Sequence, residues 1–123
     1  MIYTISHRFT SLNQYINAER RNRYIAAKIK KEETNIAYTH LLGKPPINTP
    51  CKIKFIWYIK NKRTDADNIA FAKKFILDGM IKAELIPDDN MKHIIGFTDE
   101  FIINEKERVE IEVYEWNHIT KTT

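Results

Sequence analysis

A chain of 123 residues supports one domain with one hydrophobic core and is too short for two. Its hydrophobic fraction of 43% and charged fraction of 29% are those of an ordinary water-soluble globular protein. No apolar run approaches the roughly 20 residues that a membrane span needs, which excludes an integral membrane protein. The net charge of +4 hides an asymmetry: residues 1–63 carry 13 Lys/Arg against 3 Asp/Glu, and residues 64–123 carry 7 against 13. A polyanion is drawn to the first half and divalent cations to the second. Clustering of the basic residues within Arg20–Lys31 favours a nucleic-acid partner over two solvated faces that happen to differ in sign. The opening MIYTISHRF lacks a signal-peptide layout, and the single Cys51 cannot form an internal disulfide, so a cytoplasmic location is expected. Cys51 reads as a small buried residue, with no local neighbour to activate it as a nucleophile.

In chain order, Met1–Ser6 reads as a short strand. Ser11, Leu12 and Asn13 offer helix-capping side chains to a long polar segment from Gln14 to about His40, one long helix or two shorter ones with a basic outer side. Gly43-Lys44-Pro45-Pro46 forces a break. Lys52–Lys60 (KIKFIWYIK) is the strongest strand signal and is expected at the centre of the sheet. A helix is predicted from about Asp67 to about Ala83, with Ile69, Ala72, Ile76 and Met80 as its core stripe. Met91–Phe97 and Arg108–Trp116 are the remaining strands, the second with Val109, Ile111 and Val113 on one face. The expected fold is an α/β (α+β) domain over residues 1–116, helices packed on a short mixed β-sheet, followed by a polar tail over 117–123.

Chemistry-bearing residues gather between Lys62 and Lys92. Asp65 and Asp67 leave the central strand at its C-terminal edge, and alternate positions of an extended chain point the same way. Asp88 and Asp89 follow the helix; if the next strand pairs with the central one, they return to that edge. Converging carboxylates there would make a hard oxygen site for Mg²⁺. The plainer reading is helix capping by the first pair and turn chemistry by the second. A calcium-binding EF-hand fails on spacing, since Ala70 and Ile76 stand where glycine and glutamate are required. Lys74 lies nearly two full turns beyond Asp67 and so on the same face, with Asp78 a further turn along as its ion-pair partner. Lys73 points elsewhere, which makes Lys74 the better approach to a phosphate; the plainer reading is a surface ion pair.

The combination DADN, a helix ending KKFILDGM, and IPDD closely resembles the RusA-type Holliday-junction resolvases, especially their phage-borne and prophage-borne branch. The opening ISHRFTSLNQYINAERRNRYIAAKIKKE is similar to that branch as well, so the resemblance covers nearly the whole chain. It implies a bacterial or phage origin, Asp65, Asp67 and Asp89 as metal ligands and Lys74 as the active-site lysine; Asn68 matches the motif asparagine and Asp88 the first of the later pair. In the commoner form the lysine stands three residues after the asparagine. A three-residue extension here bears on the choice between Lys73 and Lys74 and leaves the aspartates unaffected. The implied activity is Mg²⁺-dependent endonucleolytic resolution of four-way DNA junctions, with Mn²⁺ able to substitute, by a homodimer whose twofold symmetry matches paired cuts. Arg20, Arg21, Arg23, Lys28, Lys30, Lys31, Lys62 and Arg63 are the expected DNA-phosphate contacts. Tyr15 and Tyr24 interleave with the cluster and are expected in the core more than on exposed bases. His7, His40, His93 and His118 are dispersed and expected to be satisfied locally. Two alternatives remain: a non-catalytic junction- or duplex-binding module, and a metal-dependent nuclease acting on flapped DNA or RNA.

Overall fold

The computed structural model describes residues 1–116; the polar tail and His118 lie outside the described residues. Four strands form one mixed sheet in the order β1 (Ile2–Ile5), β4 (Arg108–Glu115), β2 (Cys51–Ile59), β3 (Ile94–Ile103). The central position of β2 follows from its apolar run: it pairs antiparallel with β4 and parallel with β3. Alternation sends Ile53, Phe55, Trp57 and Ile59 to one face, level with Val113, Ile111 and Val109 of β4. Tyr3 and Ile5 extend that face on β1. Helices cover it and bury all of these residues.

The opposite face carries a solvated lattice. Lys54 bridges Glu100 at 2.8 Å and Glu112 at 3.9 Å, and the Tyr58 hydroxyl donates to Glu110 beneath the Arg108 guanidinium. Helices cover one side of the sheet only, so its mostly antiparallel strands keep one dry face and one wet face.

The long polar segment divides into α1 (Leu12–Arg21) and α2 (Arg23–Leu41). Ser11 and Gln14 form a capping box at the start of α1. Asn22 ends α1 and caps α2, its Oδ1 accepting from the Tyr24 amide at 2.8 Å. Gly43, at φ 83°, carries the chain out of α2 toward the prolines. The single helix expected over 67–83 is two, α3 (Ala66–Ala70) and α4 (Lys73–Lys82). At the joint the amides of Ala72, Lys74 and Phe75 donate three residues back, to Ile69, Phe71 and Ala72. That tighter winding shifts the phase, so Lys74 cannot be assigned to the Asp67 face by counting 100° per residue. The expected stripe of Ile69, Ala72, Ile76 and Met80 is buried; Phe75, Leu77 and Gly79 are buried with it, because α4 packs against α2 as well as into the core on the sheet.

Glu33 of α2 is buried and fastens the connection between β1 and α1. Its carboxylate takes His7 Nε2 at 2.6 Å, the Thr10 amide at 2.6 Å and the Thr10 hydroxyl. Burial pushes this carboxyl up, but the hydrogen bonds from His7 and Thr10 outweigh burial and hold it below its ordinary value of 4.5. A lowered folded-state value contributes stability that is present above pH 4.5 and lost as pH falls through the folded pKa. Glu33→Gln is therefore expected to cost about 1–2 kcal/mol at neutral pH. It should also flatten the acid limb of urea midpoints measured between neutral and acid pH, whereas an unchanged acid limb would show that Glu33 does not carry it.

A candidate metal and nucleic-acid site

Parallel pairing of β2 with β3 decides where the acidic residues fall. Cys51 of β2 stands beside Ile94 of β3, and Ile59 beside Ile103. The loop carrying Asp88 and Asp89 therefore enters β3 near the beginning of β2, while Asp65 and Asp67 follow the end of β2. Nine strand residues separate those ends by about 26 Å. The strand after Asp89 does pair with the central strand as expected, but its direction does not return the acidic pair to the edge that holds Asp65 and Asp67. Among the described residues, no three His, Cys, Asp or Glu side chains gather closely enough to hold a metal ion.

Asp65 occupies the N-cap position of α3 in extended backbone, yet its side chain makes no capping hydrogen bond and is exposed. Asp67 is exposed in the first turn. Neither carboxylate is consumed by helix capping. Asn68, by contrast, is buried, and its Oδ1 accepts from the Asn13 amide at 3.0 Å, which ties α3 to the start of α1. Exposed Lys62 and Arg63 precede the two aspartates, with Thr64 between.

The two lysines of α4 part company. Lys74 Nζ lies 3.2 Å from both Asp78 and Asp89, so the expected partnership with Asp78 forms and the far loop joins it. The Asp78 hydrogen bond, opposed by burial and reinforced by Asp89, holds the ammonium above its ordinary pKa. Asp88 instead accepts from the Asp89 amide and from Asn90, which is turn chemistry. Lys73 turns toward the sheet and pairs with Asp99 of β3 at 2.7 Å, its ammonium 4.9 Å from the Phe97 ring centre and 5.4 Å from that of Phe55. Trp57 Nε1 donates to the other Asp99 oxygen at 2.9 Å. Asp99 and Asp67 line one shallow hollow with Phe71 and Phe101.

Motif reading missed Asp99 and considered Lys73 only as the alternative to Lys74. The signal that could have pointed to Asp99 is the polar Thr98-Asp99-Glu100 inside the apolar run IIGFTDEFII, where the expected strand ends at Phe97. β3 continues to Ile103 because Lys73 and Trp57 satisfy Asp99 while Lys54 satisfies Glu100. Lys73→Ala should accordingly lower stability by about 1–2 kcal/mol, having left a half-buried carboxylate without its cation. Lys74→Ala should leave the melting temperature nearly unchanged, as expected for an exposed pair. Thermal melts of the two variants decide the division, and equal losses would contradict it.

Six of the basic residues expected on DNA, Arg20, Arg21, Arg23, Lys28, Lys30 and Lys31, lie along the α1–α2 corner and face largely outward. Lys30 and Lys31 border a hollow whose other wall holds Asp78 and Lys82 of α4. The tyrosines divide. Tyr15 packs on Phe71 and Phe75, as expected, whereas Tyr24 is 71% exposed, against the expectation of burial. His7 meets Glu33, His40 Nδ1 meets the Ile36 carbonyl, and His93 Nδ1 meets the Thr49 hydroxyl. Cys51 is fully buried, and burial pushes its thiol pKa up. No described helix is long and apolar enough to cross a membrane. Comparison with known protein families and with curated proteins finds no match for this chain.

Proposed function

We propose that the chain is a Mg²⁺-dependent, structure-selective DNA endonuclease that cuts four-way junctions by paired nicks. The observation that carries this reading is the segment Lys62–Asp67. There two exposed cations, Lys62 and Arg63, precede two exposed carboxylates with only Thr64 between, and the first carboxylate does no capping. Mg²⁺ is commonly held by one or two carboxylates, with waters and substrate phosphate oxygens completing the octahedron. Asp65 and Asp67 fit that demand as a pair; Asp89, proposed as a third ligand on the resemblance, is instead engaged with Lys74 through Oδ2 and would have to leave that lysine and approach the pair to bind the same ion. When bound, the metal supplies an acidified water and neutralises charge on the scissile phosphate.

The chain's own residues provide the rest. Lys62 and Arg63 fix the phosphate strand beside the carboxylates without reading bases. Lys74, held charged between Asp78 and Asp89, offers a preorganised cation to the developing phosphoryl charge. The homodimer that paired nicks require has a surface suited to it. Among the described residues, β3 is an edge strand whose outer row of main-chain donors and acceptors pairs with no other strand, with Phe97, Phe101 and Ile103 exposed along it.

A second reading is favoured by one observation. The lack of any three metal-binding side chains in one place among the described residues fits a basic junction-binding module that does no chemistry. Incubating a synthetic four-way junction, a flap and an RNA duplex with Mg²⁺ or with EDTA separates the possibilities. Symmetric nicking of the junction in Mg²⁺ alone is the expected result. Binding without nicking would leave the module, and preferential cutting of flap or RNA would replace the substrate.

A further inference from the structure

Among the described residues, Tyr24 touches only its neighbour Arg23 through its side chain, and no core packing accounts for its place. It stands in the first turn of α2 at 71% exposure, second only to Met91 among the exposed large hydrophobic side chains of the described residues. Its backbone is fixed: the Asn22 side chain caps the Tyr24 amide at 2.8 Å, and the Asn22 amide closes α1 on the Ala18 carbonyl. Its ring is dressed by Arg23, whose guanidinium carbon stands 5.2 Å from the ring centre while Nη2 lies 3.4 Å from the hydroxyl.

The surroundings set the ligand chemistry. Residues 24, 28 and 31 follow an (i, i+4, i+7) pattern, so Tyr24, Lys28 and Lys31 share one face of α2. Seven residues of helix place Tyr24 about 10 Å from Lys31 along the axis. Lys31 borders the hollow with Asp78, and Asp78 is bound to Lys74. On its other side the corner ends in Arg20 and Arg21, both exposed. Glu19 is the acidic residue nearest in sequence, and Glu32 pairs loosely with Lys28 at 3.8 Å. A rigid aromatic plane flanked by cations at this spacing matches a nucleobase flanked by phosphates. A protein partner would call for a wider apolar surface than the ring and the neighbouring, partly exposed Ile25 provide amid these cations.

We propose that Tyr24 is a stacking platform for an unpaired or splayed nucleobase of the DNA substrate, with Arg23, Lys28 and Lys31 holding the phosphates on either side. This rests on the nuclease reading for the identity of the strand and deepens it by giving the protein a way to tell branched DNA from continuous duplex. In duplex the bases are stacked on one another and offer no face to Tyr24. At a junction or a gap they do.

The test uses the full chain in EDTA, so that binding is read without cleavage. Two probes serve, a four-way junction and a linear duplex, each carrying a 2-aminopurine, placed at the branch point in the junction. Tyr24→Ala should weaken junction binding about 10-fold and duplex binding less than about 2-fold, within the range expected for loss of one base–aromatic stack. The wild type should quench the branch-point fluorophore, and Tyr24→Ala should not. Tyr24→Trp and Tyr24→Phe should restore both properties, which separates loss of the ring from loss of the fold. Arg23→Gln should weaken both probes. Equal losses on both probes, or no loss with the quench retained, would overturn the platform while leaving the nuclease reading intact. Conversely, junction-selective binding that depends on the ring, with no nicking once Mg²⁺ is added, would overturn the nuclease reading and leave the platform standing. No binding of either probe by the wild type would overturn both.

Discussion

Asp67→Asn should abolish junction cleavage, lowering the rate by about three orders of magnitude or more, while junction affinity in EDTA stays the same or rises. The two effects have separate causes. An amide oxygen is a neutral, weaker donor to a hard cation, so a metal held by a carboxylate pair loses half of its anionic ligands. The same change removes an exposed negative charge from the neighbourhood of Lys62 and Arg63, where a DNA phosphate would otherwise be repelled. Because Asp67 is exposed and makes no contact on which packing depends, the melting temperature should not move. Asp65→Asn should behave alike. Asp99→Asn is the informative contrast: it keeps the shape that Trp57 binds and loses the pairing with Lys73, so it should lower stability before it lowers cleavage. Parallel loss of cleavage and binding in Asp67→Asn, with a fallen melting temperature, would return Asp67 to an ordinary helix-terminal role.

The largest expected effect on stability comes from Gly79→Val. Gly79 lies where α4 crosses α2. A Cβ there would stand 2.6 Å from the Ala37 Cβ, 2.9 Å from the Tyr38 amide nitrogen and 3.1 Å from the Thr34 carbonyl oxygen. Two of these neighbours are backbone and cannot rotate aside, so the helices must separate. Separation opens the seam between Ala37 and Leu41 on one side and Ile76 and Met80 on the other, all buried. Overpacking of this kind costs about 3 kcal/mol, and the small gain in helix propensity on leaving glycine does not offset it. For a domain of this size that lowers the melting temperature by about 10 °C. Adding Ala37→Gly relieves the shortest contact but neither backbone contact, so the double variant should recover only part of the loss. Full recovery, or no loss in Gly79→Val, would mean that the crossing tolerates a wider spacing than its geometry implies.

Much of the fold was legible because its patterns are local. The alternation of Val109, Ile111 and Val113, and the apolar run through Phe55 and Trp57, dictate which side chains enter the core whatever the strands pair with. The break at Gly43 was legible too, since glycine and the prolines after it act on their own backbone, whereas the sequence leaves open whether 14–40 is one helix or two divided at Asn22. What could not be read was set by partners distant in sequence. β3 extends past Phe97 only because Lys73, Trp57 and Lys54 answer the charges of Asp99 and Glu100. The helix over 67–83 is jointed at Phe71-Ala72, where nothing in those residue types forbids a continuous helix. Tyr24 resembles a core residue by type, and only its place at the α1–α2 corner leaves it exposed.

The acidic residues show the same division. Their identities and their places before and after a helix were legible, and Lys74 does meet Asp78 and Asp89. Strand direction was not legible. A motif fixes only that two acidic clusters follow one another along the chain, and either a parallel or an antiparallel neighbour would satisfy that order. Here the neighbour is parallel, and the clusters enter the sheet from opposite ends.

Whether the carboxylates at the end of β2 hold a divalent ion against DNA is best tested by manganese anomalous scattering. The measurement uses crystals of the wild-type chain bound to a four-way junction. The expected result is an anomalous peak bridging the carboxylates of Asp65 and Asp67 and a DNA phosphate oxygen, lost in Asp67→Asn crystals. A DNA-bound structure with no manganese at either carboxylate, its phosphates held by the α1–α2 corner alone, would contradict the nuclease and leave a basic junction-binding protein.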